Sequence, residues 1–577
     1  MFEALGIAMV KNEADVVEAF ARHNLSYMDA LVIVDNDSVD DTREILVRLQ
    51  REGLPIVLLD DPVVGHFQAE IVTAVYRRIV PIFKPRFVFL LDADEFIVAS
   101  SRDTLYSQLR ALRPGTQAQY SWRTYIPAPD GPEGDESDPL RSITHRKLVE
   151  RAWYKPIIVT KPKIDMKVKI RQGNHGVRHM GLPLRKVKLR DATIAHFPVR
   201  SVDQFTSKIL VGWIANLERN RYRLDMAHAI HWKVVYERII RDSLTPEVLT
   251  MEALKYADFS GAELRWPRDV VRDPVVPAYT ELTARSAVTC TPLQKVVRSI
   301  DRIFNPEADI SGLASDTEFL RNSHRKVRAR RHFARPFTNG GRSKTELCVD
   351  LPPFRYVAQR YRPGSVLDIG CGSGAYAKYF ASHGTERITG VDNFDPTATY
   401  LEADEYVRAD LGKPLNLAQT FDLVMSLGAI HHPASEDALV DNIARHARER
   451  IIISGAPAGP PGGNHTNQSI SRRLDLFASA GWYPCLFDTL VLRSLSTFPW
   501  LRGNLVVLTR DGAGAAAARE YLSDLEQRSV KQRGKQRPAV VAHPFTEMEA
   551  KLSAHRDSRT VAMANRLMRA IISRAFH

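Results

Sequence analysis

Two successive α/β domains are the fold class this sequence predicts, and three observations carry the prediction. The first is length: 577 residues exceed what one hydrophobic core serves. The second is an alternation of strand-like and helix-like runs through the first hundred residues. The third lies far from it, where an apolar run ending at Ile369 breaks into a turn with glycine at 370, 372 and 374. Asp392 then follows a second apolar run, Ile388 to Val391. Composition agrees with a folded globular chain, 44% hydrophobic and 25% charged.

The N-terminal elements follow in order. Strand-like runs are read at Ala4 to Val10, Ala30 to Val34, Pro55 to Leu59 and Phe87 to Leu91. Between them, Ala14 to Tyr27 and Thr42 to Arg51 carry helical apolar spacing. Such alternation indicates a parallel sheet with functional groups at the strand ends. From Thr116 to Phe197 the pattern turns to short β-like pieces. Residues 203 to 243 read as helical again, with Trp213, Leu217 and Tyr222 among the apolar positions. The acidic stretch Asp130 to Asp138 reads as a surface loop. The expected boundaries are a first domain over 1–245, a helical and basic linker over 246–345, a second domain over 346–510 and a basic helical tail over 511–577.

Acidic residues gather at the ends of the first strands. Asp92-Ala93-Asp94-Glu95-Phe96 follows the fourth strand, and two carboxylates two positions apart at a strand end can approach a divalent cation and the phosphates it neutralises. Asp35-Asn36-Asp37-Ser38-Val39-Asp40-Asp41-Thr42 follows the second strand and could cap the next helix while meeting a nucleotide. With Asn12, Glu13, His23, Gln68, Gly173-Asn174-His175 and His196-Phe197-Pro198-Val199-Arg200-Ser201, these pieces fill, in order, a pattern that resembles family 2-type glycosyltransferases of the GT-A fold. The resemblance covers about residues 3 to 240. It implies a nucleotide sugar held by Asn12, Glu13, Asp35, Asn36 and Asp92. It also implies Mn²⁺ or Mg²⁺ on Asp92 and Asp94, stabilising the departing diphosphate. Position 36 is Asn where many relatives carry a second Asp, which alters any base contact there. His175 and His196 are candidates for a further metal ligand or for positioning the acceptor, with a structural role equally open. Glu95 and Asp191 are candidates for the base that deprotonates the acceptor hydroxyl.

In the second half, Val366-Leu367-Asp368-Ile369-Gly370-Cys371-Gly372-Ser373-Gly374 leads into a helix-like segment, Ala375 to Ser382. Glycines let the backbone pass close to a cofactor, and an acid after the next strand can hold ribose hydroxyls. This wording resembles motif I of class I S-adenosylmethionine-dependent methyltransferases and fits it better than the G-x-G-x-x-G spacing of NAD enzymes. The resemblance covers about 346 to 510 and implies a Rossmann-like fold. It assigns S-adenosylmethionine to Asp368, Gly370, Gly372, Gly374, Asp392 and Asp410. Phe421 to Ser426 has the shape of a fourth strand. His432 and His465, in the polar stretches beyond it, are candidates for the base that takes a proton from a sugar hydroxyl, with loop hydrogen bonding equally open.

Other classes are narrowed by composition. Four cysteines, at 290, 348, 371 and 485, form no CxxC pair, so neither a disulfide framework nor a zinc site is expected. No apolar run approaches the roughly 20 residues that cross a bilayer. Met1 to Val10 reads as a first strand, not a signal peptide, and the expected location is the cytoplasm. The net charge of +13 is concentrated around 324–344 and 528–537, where a solvated junction face is the simpler reading. A nucleic-acid methyltransferase is the weaker alternative, since no Asn-Pro-Pro-Tyr-like stretch follows the fourth strand. Residues 546–576 read as a basic amphipathic helix that docks on the protein or rests on the inner membrane face. The resulting expectation is a bifunctional glycan-assembly enzyme acting on a glycan or lipid-linked glycan acceptor. A glycosyltransferase with a degenerate, purely binding second module is the other reading.

Overall fold

The computed structural model describes residues 2–61, 65–131, 138–221, 230–241, 244–258, 263–284, 290–304, 349–393, 399–428, 436–455 and 469–533. The described residues up to 304 form one compact unit and those from 349 to 533 another. No helix among the described residues is long and apolar enough to cross a membrane.

The N-terminal unit is built on a ten-stranded sheet. Strands β1 (Ala4–Val10), β2 (Ala30–Asp35), β3 (Ile56–Asp60) and β4 (Phe87–Asp92) are parallel, in the spatial order β3-β2-β1-β4. Their side chains are buried on both faces, which is why they read as continuous apolar runs. Helices Val17–Asn24 and Thr42–Arg51 return the chain between them, matching the expected positions. Past β4 the sheet turns antiparallel through β5 (Glu95–Ala99), β6 (Thr116–Ile126), β7 (His145–Lys147) and β8 (Tyr154–Val159). A separate three-stranded sheet holds β9 (Val168–Ile170), β10 (Val177–His179) and β11 (Leu182–Pro183). Strand β12 (Arg185–His196) then pairs with both β5 and β6.

The structure corrects the expected linker. Strand β13 (Val270–Arg272) joins the edge of the first sheet beside β7, and helix Pro246–Lys255 buries Leu249, Ala253 and Leu254 in one cluster with Ile126 and Phe205. Helix Pro292–Phe304 packs Val296 and Ile300 against Val211 and Ile214. The described residues between 246 and 304 are therefore part of the first unit, and its core continues well past 245. Residue 222 and the central part of the acidic stretch lie outside the described residues.

The C-terminal unit has a seven-stranded sheet with β14 (Ser365–Ile369), β15 (Arg387–Asp392), β16 (Tyr406–Arg408), β17 (Phe421–Leu427), β18 (Ala447–Ser454), β19 (Tyr483–Pro484) and β20 (Leu505–Thr509). The order is β16-β15-β14-β17-β18-β20-β19, parallel except for β20, which runs antiparallel to β18 and β19. Helix Ala515–Arg533, expected to begin a tail, seals this unit. Leu522 is fully buried, and Glu526 accepts from the Ile470 amide at the start of helix Ile470–Ser479. The expected helix over 546–576 lies outside the described residues.

Candidate functional site

In an open parallel sheet the ligand crevice forms where strand order reverses, at the carboxyl ends. In the first unit that point is β1, flanked by β2 and β4. Register sets Met9 opposite Asp92 and Val10 opposite Asp35, so the ends of three strands present Asn12, Glu13, Asp35 and Asp92 along one edge. Asn12 adopts a left-handed φ of 57°, its amide donating to Ser38 Oγ at 2.9 Å and its Oδ1 accepting from the Val39 amide at 2.8 Å. Its Nδ2 is buried with no partner among the described residues. Asp35 is likewise buried with Oδ1 unpartnered, and burial pushes its carboxyl up to about 7. Asn36 donates through Nδ2 to Asp61 at 2.7 Å.

The Asp92–Glu95 turn is held by basic and aromatic side chains. Asp92 Oδ1 accepts from Gln68 Nε2 at 2.7 Å and Asn174 Nδ2 at 3.0 Å, and Oδ2 accepts from Lys155 Nζ at 2.6 Å. Asp94 Oδ2 accepts from Lys208 Nζ at 2.6 Å, with Arg200 at 3.9 Å, and Oδ1 lies 3.6 Å from His196 Nε2. Burial disfavours that charge, but Lys208, His196 and Arg200 outweigh it and hold the Asp94 carboxyl well below its usual range. Arg200 also binds Asp15 at 2.6 Å and Glu13 at 2.5 Å. Burial pushes Glu13 up to about 7 against the pull of Arg200 and Lys208.

Several expectations are corrected here. Glu95 is fully buried. One oxygen accepts from Trp122 Nε1 at 3.0 Å and faces Lys155 at 3.1 Å, while the other accepts from the Asp92 amide at 2.9 Å. It shapes the turn and has no surface to offer a substrate. Asp191 is exposed at a bulge in β12 and accepts from Gln108 at 3.1 Å. Five residues of strand, roughly 16 Å, separate it from His196, so it stands apart from the cluster. The expected metal set of Asp92, Asp94, His175 and His196 is not assembled. Among the described residues no group of three or more His, Cys, Asp or Glu is placed to hold a metal ion. His196 stacks on Trp122 at 4.5 Å, and burial, with Lys155 nearby, brings His175 down to about 4. With both Asp92 oxygens and Asp94 Oδ2 already accepting from N–H donors, this donor set does not fit a divalent ion. His23 is structural, bridging the Ile97 carbonyl at 2.7 Å and the Ala278 amide at 3.3 Å.

Lys155 and Lys208 were not anticipated. A lone lysine in the apolar strand Tyr154–Val159, and another between Phe205 and Ile209 on a helix, are the signals that mark them: a buried ammonium needs a carboxylate partner.

In the second unit the order reverses at β14, and the glycine turn follows that strand. Gly370 donates to the Val391 carbonyl at 2.7 Å, and Gly372 donates to Asp392 Oδ2 at 2.8 Å, tying the turn to the acid at the end of β15. Gly374 caps helix Ala375–Ser382 at φ 71°. A side chain at Gly374 would meet Leu401 at 2.5 Å, whereas one at Gly372 would enter open space. The space over Gly372 and the adjacent carboxylate fit a nucleoside-bearing cofactor. Asp368 lies buried beneath the turn, where burial and the Asp392 charge push it up to about 7. Asp410 is exposed and caps its own turn, accepting from the Gly412 amide at 3.0 Å. Asp422 is structural, as it accepts from Ser365 at the opposite end of the sheet and pairs with Arg448. His432 and His465 lie outside the described residues.

The family match falls in this second unit. No curated protein matches the chain. A methyltransferase from Listeria monocytogenes, described as putative and S-adenosylmethionine-dependent, aligns at 16% identity over 26% of this chain and 91% of its own, TM-score 0.20. An S-adenosylmethionine-dependent methyltransferase from Mesorhizobium loti aligns at 18% over 25% and 90%, TM-score 0.21. An O-methyltransferase of a Brevibacillus brevis trans-AT PKS multienzyme, bound to S-adenosyl-L-homocysteine, aligns at 12% over 32% and 82%, TM-score 0.21. Residues 367–452, from the glycine-turn strand through most of β18, match the methyltransferase-domain family model, and the chain accordingly carries a methyltransferase domain.

Proposed function

We propose that the chain joins this S-adenosylmethionine-dependent methyltransferase to a glycosyltransferase in its N-terminal unit, both serving glycan assembly. One observation carries the N-terminal reading: at the sheet's switch point, a buried donor, Asn12 Nδ2, and a buried acceptor, Asp35 Oδ1, both lack partners among the described residues, beside the acidic end of β4. Buried polar groups are normally satisfied, and a nucleoside at this edge supplies both missing partners. Sugar transfer breaks the bond from the anomeric carbon to the diphosphate, whose oxygen keeps the electron pair, and forms a bond from the acceptor oxygen. The acceptor hydroxyl gives up its proton to water or to the released diphosphate. Lys155 is fully enclosed and the Arg200 side chain is 3% exposed, but that of Lys208 is 22% exposed. We assign Lys208 to the charge that develops on the leaving diphosphate.

In the second unit, S-adenosylmethionine supplies an electrophilic methyl group, for which the proposed acceptor is a sugar hydroxyl. Gly372 lets the backbone pass the cofactor closely, and we assign Asp392 to its ribose. Burial keeps Asp368 from adding a second full negative charge there. Incubation with a panel of nucleotide sugars, read as nucleoside diphosphate release, tests the N-terminal reading. No release from any donor, with methyl-donor binding intact, would leave only the methyltransferase.

A further inference from the structure

The small sheet β9–β10–β11 buries one face over β9 and the start of β10 and leaves the other face bare. Val168, Ile170 and Val177 are buried. Arg77 on helix Gln68–Phe83 donates to the Val168 carbonyl at 2.9 Å, and Thr73 accepts from the Ile170 amide at 2.9 Å. Residues directly opposite across an antiparallel pair share a face, so Lys169, Arg178 and Pro183, paired in one row, form the other side. All three are exposed.

Charge on this segment is one-sided. Between 161 and 190 stand six lysines and four arginines, ten cations, and every one is exposed. The single carboxylate in that stretch, Asp165, is buried against the Tyr76 hydroxyl at 2.7 Å. Large apolar side chains stand out among the cations: Met166, Met180 and Leu182 are 55%, 70% and 73% exposed. Register carries Met180 to the level of Lys167, beside Met166. Met180 and Gly181 form a two-residue hairpin turn with φ of 50° and 84°, positions that favour Asn and Gly. A methionine there strains the backbone and gains no burial in the fold, so its use lies outside the chain.

We infer that the basic face and the hairpin end beside it dock on an anionic membrane surface, with the Met180–Leu182 tip entering the headgroup region, Leu182 from the end of the row it shares with His179, and the cations meeting lipid phosphates. Nucleic acid would use the cations and takes aliphatic side chains only as wedges between base steps, whereas an interfacial segment uses cations and aliphatic side chains together. The turn joining β9 to β10 also carries Asn174, which binds Asp92, and Gly173, whose amide donates to Gln68 at 2.9 Å. Docking by this face therefore brings the acidic end of β4 close to the lipid surface.

The test is co-sedimentation of the full chain with vesicles of phosphatidylcholine alone or mixed with equal phosphatidylglycerol. Two variants, Lys169→Glu/Arg178→Glu and Met180→Ser/Leu182→Ser, are compared with the parent, and heparin and a single-stranded oligonucleotide serve as polyanions without an apolar phase. All four positions are exposed, and an unchanged melting profile confirms folding. The expected result is binding to anionic vesicles only, weakened roughly tenfold or more by the charge reversal. The serine pair weakens vesicle binding while leaving heparin binding unchanged. Vesicle binding unaffected by either variant, or absent in the parent, overturns the inference. So does an oligonucleotide bound more tightly than the vesicles with the serine pair behaving as the parent, which assigns the face to nucleic acid.

Discussion

Single residues separate folding from binding most cleanly in the glycine turn. Gly374 faces Leu401 at 2.5 Å while Gly372 faces open space, so equal substitutions have unequal consequences. Gly374→Val should lower the melting point of the C-terminal unit by clash. Gly372→Ala should cost about 1 kcal/mol of left-handed strain in stability, yet strongly weaken S-adenosylhomocysteine binding in calorimetry. Equal binding by Gly372→Ala and the parent would take the turn out of the cofactor site. Asp368 gives a pH signature with a definite sign. Its carboxyl rises from 3.8 to about 7 on folding, so the folded state holds the extra proton between those values. Its contribution to stability is full below 3.8 and is lost as pH rises through about 7. Asp368→Asn should flatten the fall in melting point of the C-terminal unit across that range, and an unchanged slope would contradict the assignment.

Elements were legible where period and length agreed. Helix Thr42–Arg51 and helix Ala375–Ser382 match their expected bounds because apolar spacing and flanking turns mark both ends. Less legible were pairings made over long sequence separations. Nothing local in Val270–Arg272 says that it completes a sheet edge beside His145–Lys147, and so the first domain was expected to stop early. A fragment ending at 245 should consequently be unstable. It would bare the partners of Leu249 and Leu254, each worth roughly 1.5–3 kcal/mol of burial, and lose the edge strand. Limited proteolysis of fragments ending at 245 and at 304 checks this; equal resistance would mean that the later segment is dispensable. The acidic edge shows the same limit at finer grain. Its carboxylates could be read from Asp92-Ala93-Asp94, but the ammonium groups that neutralise them, Lys155 and Lys208, arrive from a distant strand and a distant helix. The expectation of a metal followed from seeing only half of that charge balance.

At the scale of the whole molecule, the proposed function puts two chemistries in separate cores of one chain. Each has its own sheet, its own switch point and its own hydrophobic cluster. Asp94→Ala should therefore strand Lys208, Arg200 and His196 without disturbing Gly372 or Asp392. The most direct measurement follows nucleoside diphosphate release from a nucleotide-sugar panel by the full chain and by Asp94→Ala, with calorimetric S-adenosylhomocysteine binding recorded for both. The account predicts release from a donor in the panel by the parent, a loss on the order of 100-fold or more in the variant, and the same S-adenosylhomocysteine affinity in both. Equal release by parent and variant, or no release by the parent from any donor, would contradict it.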